Sequence, residues 1–277
     1  MDGFYYKNDV PPEYMGIRES MDAYSSTLKG LLIQDLYHRS PGSTMGWFER
    51  WRENQWIKKA WKSHTPIFVF TEYTRAALIE AFGSPVSPIE IMDPPFSEMY
   101  FPTDEDARDV VRYQFTQGDA FFVCRAPLHP VCNIISLLKG FSLFKKRTNS
   151  NMKLVFTGAQ GAYSSSILGA LETYRHRNDI VMLQQPSIHD DISLISAAYA
   201  LIHPCRWERF GVPLLNAMQA GVAVLTTQHS SMSELTEGAG MYFNEQDPAD
   251  IGEKLIRIYN DEQMRNEMIA TGLGLFR

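Results

Sequence analysis

The stretch from His203 to Gly221 holds the residue types best suited to chemistry. Pro213 suits the first turn of a helix, where its missing N–H costs nothing, and Gly211 lets the backbone approach a ligand closely. Gly221 can end that helix, and an apolar run from Val222 to Leu225 follows. The pattern is strand, loop, helix, strand. At the start of such a helix, free N–H groups and a partial positive charge point out of the carboxyl edge of a sheet, where ligands of open α/β folds bind. A diphosphate fits there. Glu208, in the loop ahead, is a carboxylate able to accept hydrogen bonds from sugar hydroxyls. A single glutamate so placed is more often an exposed surface acid, and spacing alone leaves both readings open.

Other patterns carry less. Asp104-Glu105-Asp106 has the Asp-x-Asp form that can hold a divalent metal, but it lies in a polar linker ahead of a helix, where acids that complement the helix start explain it better. Gly158-Ala159-Gln160-Gly161 follows a strand yet lacks the Gly-Lys-Ser/Thr ending of a P-loop and any full Gly-x-Gly-x-x-Gly, so a tight strand-to-helix turn is preferred. No His-Glu-x-x-His and no Gly-x-Ser-x-Gly occurs, which leaves metalloprotease and hydrolase readings without support.

The elements that would position these residues alternate from Asp119 onward. Strands are expected at Ala120 to Val123, Lys153 to Thr157, Ile180 to Leu183, Ala200 to His203, Ala223 to Thr226 and Met241 to Phe243, with helical patterns between most of them. That is a Rossmann-like domain with a parallel sheet. Ile135, Leu138 and Phe141 fall at helical spacing, as do Ile251, Leu255 and Ile258, and each set is expected to press a helix face onto the sheet. Before Asp119 the pattern is sparser: a strand at Leu31 to Ile33, a tryptophan-rich helical stretch from Trp47 to Trp61, and a strand at Ile67 to Phe70. Asp93-Pro94-Pro95 and the polar run Pro102 to Asp106 interrupt helix and ladder, so the boundary is expected near Phe101, dividing residues 1–101 from 102–277. The first thirty residues read as an irregular approach to the first strand.

The chain has 277 residues, enough for one large core or two modest ones, and a net charge of -6. A broad cationic surface for nucleic acid is therefore not expected, and an anionic ligand must be held locally. No transmembrane stretch and no secretion signal is seen, so the cytoplasmic side is expected. Cys124, Cys132 and Cys205 are an odd number with no C-x-x-C pair, which argues for buried reduced thiols rather than a disulfide or a structural zinc site.

With these residues in view, the chain resembles a retaining, nucleotide-sugar-dependent glycosyltransferase of the GT-B fold, family 4 (group 1). Glu208, Phe210, Gly211 and Pro213 match the family's signature around the donor sugar; Asn216 stands at the second acidic position and Arg209 at a usual glycine. Leu31 to Leu36 is similar to the family's N-terminal strand and His-Asp-Leu, with Asp35 kept and Gln34 replacing histidine. Val69 to Arg75 is similar to the next strand and Ser-x-x-Thr helix start, with Thr71 as helix N-cap. Ile91 to Pro102 resembles the interdomain linker. After the strand at Ala120 to Val123, Arg125 is kept and Cys132 stands at the family's lysine. The resemblance implies that segments usual before the first strand and after the last helix are missing, and that the motifs are degenerate.

What the resemblance implies for fold is a complete C-terminal Rossmann-like domain and an incomplete N-terminal α/β domain. For function it implies transfer of a hexosyl unit from a nucleoside-diphosphate sugar to an acceptor hydroxyl, with retention and no metal, in glycan or polysaccharide biosynthesis. Arg125 and Glu208 would be catalytic. Phe210, Gly211, Val212, Pro213 and Asn216 would bind the donor, and Asp35 would lie on the acceptor side. The acceptor would be a glycan or a lipid-linked chain, and the protein would be cytoplasmic, peripheral to the inner face of a membrane. Losing the lysine's cation costs on the order of a hundred- to a thousandfold in rate; His129 is a candidate replacement, although a surface loop residue is the plainer reading, and Arg125 as an ordinary salt-bridge partner stays open. The alternative is a non-catalytic relative that binds nucleotide or stabilises a partner. An incomplete sheet leaves an open edge, so a homo-oligomer or a partner chain is expected.

Overall fold

The computed structural model describes residues 31–39, 43, 45–64, 66–92, 97, 99–158, 164–183, 186–207, 211–228 and 231–276. Glu208, Arg209 and Phe210, the 159–163 part of the glycine-rich turn, the first thirty residues and Asp93-Pro94-Pro95 lie outside them. The described residues fall into two compact units, one up to residue 92 and one from residue 97 onward.

The first unit runs β1 (Leu31–Leu32), α1 (Trp47–Trp61), β2 (Ile67–Val69), α2 (Glu72–Phe82) and β3 (Ile89–Ile91). Its strands form a parallel sheet in the order β1-β2-β3, with Leu31 opposite Ile67 and Ile67 opposite Ile89. Thr71 caps α2 as expected, its side chain accepting from the Thr74 N–H at 3.2 Å. Ile33, Ile57, Trp61, Ile67, Val69 and Leu78 make the core, so α1 buries one face against the sheet. β3 is not among the strands expected from the sequence, and Ile91 falls in the stretch that resembles the interdomain linker. It is three residues long at an open edge, with Ile91 exposed, and only pairing with β2 makes it a strand.

The second unit alternates helix and strand throughout: α3 (Glu105–Thr116), β4 (Phe121–Cys124), α4 (Ile134–Thr148), β5 (Lys153–Phe156), α5 (Ser164–Glu172), β6 (Ile180–Met182), α6 (Ile188–Ala197), β7 (Ala200–His203), α7 (Val212–Gln219), β8 (Ala223–Thr226), α8 (Met232–Thr236), β9 (Gly240–Tyr242), α9 (Pro248–Asn260) and α10 (Glu262–Gly274). Six parallel strands lie in the order β6-β5-β4-β7-β8-β9. The central strands β4, β7 and β8 are buried along their whole length, as helices on both faces require. Asp104 caps α3, accepting from the Ala107 N–H at 2.8 Å, so these acids serve the helix start.

Two expectations are corrected in this unit. Ile135 is exposed, whereas Ile134, Leu137, Leu138, Phe141 and Phe144 are buried; the stripe that meets the sheet begins one residue earlier than periodicity suggested. Ile251, Leu255 and Ile258 do line the core. Cys132 and Cys205, expected as thiols, are joined in a disulfide of S–S 2.19 Å, because the turn after β4 and the end of β7 lie side by side. Counting cysteines could not reveal a pair 73 residues apart that only the sheet brings together. Cys124 is a free, fully buried thiol, and burial pushes it up to about 12.

Candidate functional site

The strand order reverses between β4 and β7. From β4 the chain steps outward through β5 and β6, then crosses to β7 and steps the other way, with Phe122 paired to Ala200 and Val123 to Leu201. Loops leaving the carboxyl ends of β4 and β7 therefore diverge and open a crevice, the general ligand position of open α/β sheets. Arg125 is the first residue past β4, and the segment leading to Gly211 and Pro213 follows β7.

These loops are stitched together. The Arg206 N–H donates to the Val131 carbonyl at 2.9 Å, the Cys132–Cys205 disulfide lies beside it, and the Thr227 hydroxyl after β8 donates to the Cys205 carbonyl at 3.0 Å. Gly158, after β5, packs its Cα against the loop that carries Arg125: a Cβ built there would lie 1.8 Å from the Ala126 carbonyl oxygen. Only glycine admits this contact, so the strand-to-helix turn expected at this position also fixes the backbone beside Arg125.

Gly211 holds φ +67°, a left-handed conformation that favours glycine, and its carbonyl accepts from the N–H groups of Leu214 and Leu215. α7 starts there with Pro213 in its first turn, which leaves its leading N–H groups at the sheet edge. Val212 and Pro213 are half-buried. Asn216, one turn on, is buried.

Arg125 Nε lies 2.8 Å from Asp191 Oδ2. Asp191 stands in the first turn of α6, and its side chain is 8% exposed against 29% for Arg125. Neither carboxylate oxygen receives a well-aligned hydrogen bond, so the pairing is electrostatic. Burial raises the Asp191 pKa above the ordinary carboxylate value, while Arg125, the Thr157 hydroxyl and the Tyr100 phenol pull it back down. Burial likewise raises Tyr100, with Arg125 lowering it, Asp191 raising it and the Asn216 amide lowering it. Tyr100 thus links Asp191 and Arg125 on one side to Asn216 on the other, so that two residues expected at the site, Arg125 and Asn216, belong to one polar cluster that is buried except at the guanidinium. Arg125 is a salt-bridge partner, as the plainer reading had it, but to a residue at the crevice rather than on a distant surface.

Tyr100, Thr157 and Asp191 were missed by sequence reasoning. Asp190 and Asp191 are adjacent acids after the helix cap Ser187, and nothing in sequence separates the outward one from the one turned toward Arg125. His129 is buried rather than a surface loop residue, and its Nδ1 accepts from the Val131 N–H at 3.2 Å. Asp35 lies after β1 in the other unit. Among the described residues no group of three or more His, Cys, Asp or Glu could hold a metal ion, and no helix is long and apolar enough to cross a membrane.

Residues 107–273 match the family of Glycosyl transferases group 1. The chain is 26% identical over 212 residues to O-antigen chain mannosyltransferase B of Escherichia coli, covering 76% of this chain and 55% of that protein. It therefore spans about half the length of this curated relative. Among solved structures it is similar to sucrose-phosphate synthase from Thermosynechococcus elongatus, with TM-score 0.70, 16% identity, and coverage of 85% of this chain and 58% of that one. It is also similar to HepE of Anabaena in complex with UDP and glucose, with TM-score 0.74, 14% identity, and coverage of 89% and 66%. At such identities the likeness is one of fold, an α/β architecture of the GT-B type.

Proposed function

Because the chain belongs to the group 1 glycosyl transferases, we propose that it transfers a hexosyl group from a nucleoside-diphosphate sugar to an acceptor hydroxyl, with retention of configuration and without a metal. The observation that carries this reading is Arg125 at the switch point of the sheet, past β4 and beside the loop that starts α7. A guanidinium and a helix N-terminus there suit the two phosphates of a donor. In the reaction the bond from the anomeric carbon to the diphosphate oxygen breaks and a bond to the acceptor oxygen forms on the same face. The acceptor proton passes to the departing diphosphate. Arg125 and the leading N–H groups of α7 stabilise charge growing on that group, which is where preorganised donors lower a barrier most.

Glu208, with Phe210 beside it, would hold the sugar hydroxyls. Asn216 would meet the ribose, using amide positions left over from Tyr100, and Asp35 would serve the acceptor. The relative's name, an O-antigen chain mannosyltransferase, supports a glycan acceptor in polysaccharide biosynthesis; a lipid-linked acceptor and a place at the inner face of a membrane are further parts of this reading.

A second reading, a non-catalytic relative that binds nucleotide or stabilises a partner chain, is favoured by one observation. Cys132, at the family's lysine, is tied to Cys205 and supplies no cation.

Calorimetric titration with UDP- and GDP-sugars, paired with an assay for released nucleotide, tests both. Arg125→Ala is expected to weaken donor binding by about ten- to a hundredfold, the range for a charged hydrogen-bonding partner. Unchanged binding removes the assignment, and binding without turnover selects the second reading.

A further inference from the structure

The Cys132–Cys205 disulfide is not where a fold needs a staple. Disulfides that hold a chain together are characteristic of small domains short of apolar core. The second unit has its own core, with Phe122, Phe141, Phe144, Leu154, Ile202 and Leu255 packed about a six-stranded sheet. Nor does the bond cross the strand ladder. Cys132 closes a short turn, Pro130–Cys132, in the connection after β4, and Cys205 lies in the connection after β7. The bond therefore ties one carboxyl-edge connection to the other.

Those two connections carry the groups assigned to the diphosphate. The one that holds Cys132 begins with Arg125, and the one that holds Cys205 runs on to Gly211 and the start of α7. Two hydrogen bonds lie at the same place, from the Arg206 N–H to the Val131 carbonyl at 2.9 Å and from the Thr227 hydroxyl to the Cys205 carbonyl at 3.0 Å. Hydrogen bonds of this kind open and close while the sheet stays folded, and a covalent bond beside them holds them shut. Breaking it should loosen the segment that leads to α7 and leave the core intact. Cys124, the remaining cysteine, is the last residue of β4 and is free and buried, so the couple consists of two thiols and no third.

We propose that Cys132 and Cys205 form a reversible redox clasp, which when oxidised holds the segment leading to α7 against the loop that carries Arg125, and when reduced releases it and weakens the hold on a nucleoside diphosphate. The effect on the nucleotide rests on the sugar-transfer reading; the clasp does not. The co-reactant is a dithiol. Its thiolate attacks one of the two sulfurs, the S–S bond breaks as a mixed disulfide forms, and the other cysteine leaves as a thiolate that takes up a proton. The second thiol of the reductant then attacks the mixed disulfide and frees the remaining cysteine, so two electrons and two protons pass to the protein and the reductant departs as an internal disulfide. Both cysteines are buried, so attack requires the segment to open first.

The test compares the purified oxidised chain with the same chain treated with dithiothreitol in the absence of denaturant. Alkylation in denaturant after the reductant is removed, followed by intact mass, counts the thiols: Cys124 alone is expected before treatment and all three cysteines after it. Hydrogen exchange of the Arg206 amide should quicken on reduction, and calorimetry with UDP and with GDP should show binding weakened by about fivefold or more, within the range of coupling between two sites. Reoxidation should restore both. Cys132→Ala with Cys205→Ala is expected to match the reduced form and to ignore dithiothreitol. Three thiols before treatment, one after it, or Arg206 exchange that reduction leaves unchanged overturns the clasp. Nucleotide binding that is equal in the two forms overturns its regulation of the site and leaves the sugar-transfer reading intact. Exchange that responds while neither form binds UDP or GDP supports the clasp and removes the sugar-transfer reading.

Discussion

Asp191 and Arg125 show how one pair couples packing to chemistry. The guanidinium, 29% exposed, keeps access to solvent, while the carboxylate behind it is nearly buried. Asp191→Asn keeps shape and removes charge, so the arginine loses its anchor without a cavity forming. Turnover is expected to fall by about tenfold or more, the order expected when one partner of a largely buried ion pair loses its charge, with a smaller change in donor KM. Ionised Asp191 is the form that anchors Arg125, and burial raises its pKa. Activity should therefore be present above that raised pKa and fall as pH drops through it, and Asp191→Asn should abolish that limb of a kcat profile. Sequence showed Arg125 through resemblance, but its anchor is indistinguishable from Asp190 in a string of letters.

At the scale of elements, α7 depends on how it begins. Gly211 at φ +67° hands the chain from the β7 loop into the helix, and a Cβ there would lie 2.8 Å from Leu235 Cδ1. Gly211→Ala should destabilise by about 1 to 2 kcal/mol from the left-handed backbone alone, with more from the Leu235 contact. Urea unfolding measures it; a loss below that range would mean the turn is not left-handed in solution. The strand, loop and helix here were legible because Gly211, Pro213 and Gly221 are local punctuation. β3 was not, because an edge strand of three residues owes its form to the neighbour it pairs with.

For the molecule as a whole, stability should be lost on acidification through His38. Its imidazole is buried, which lowers its pKa from 6.5 to about 4; the nearby charges of Arg39 and Arg50 act the same way and a hydrogen bond to Asn54 acts against them. A folded pKa below the unfolded one means that the unfolded chain takes up the proton first. Stability from this group is present above 6.5 and is lost as pH falls toward about 4. Melting temperature recorded across that window should fall, and His38→Gln should flatten the decline; an unchanged slope would assign it to other groups.

Composition, periodicity and short motifs in the sequence determined that this is an α/β chain with a Rossmann-like second part, where most of its strands lie, and that a helix starts at Gly211 and Pro213. Those are properties of contiguous residues, governed by backbone preference and local apolar spacing. The tertiary structure alone decided that β4 and β7 are neighbours, and hence that Arg125 and the loop leading to α7 leave the sheet from adjacent strand ends. It alone joined Cys132 to Cys205, turned Asp191 and Tyr100 inward, and buried Trp61 while leaving Trp47 and Trp51 exposed. Each of these rests on contacts between segments far apart in the chain, where burial energy summed over the whole core outweighs what any local pattern prefers.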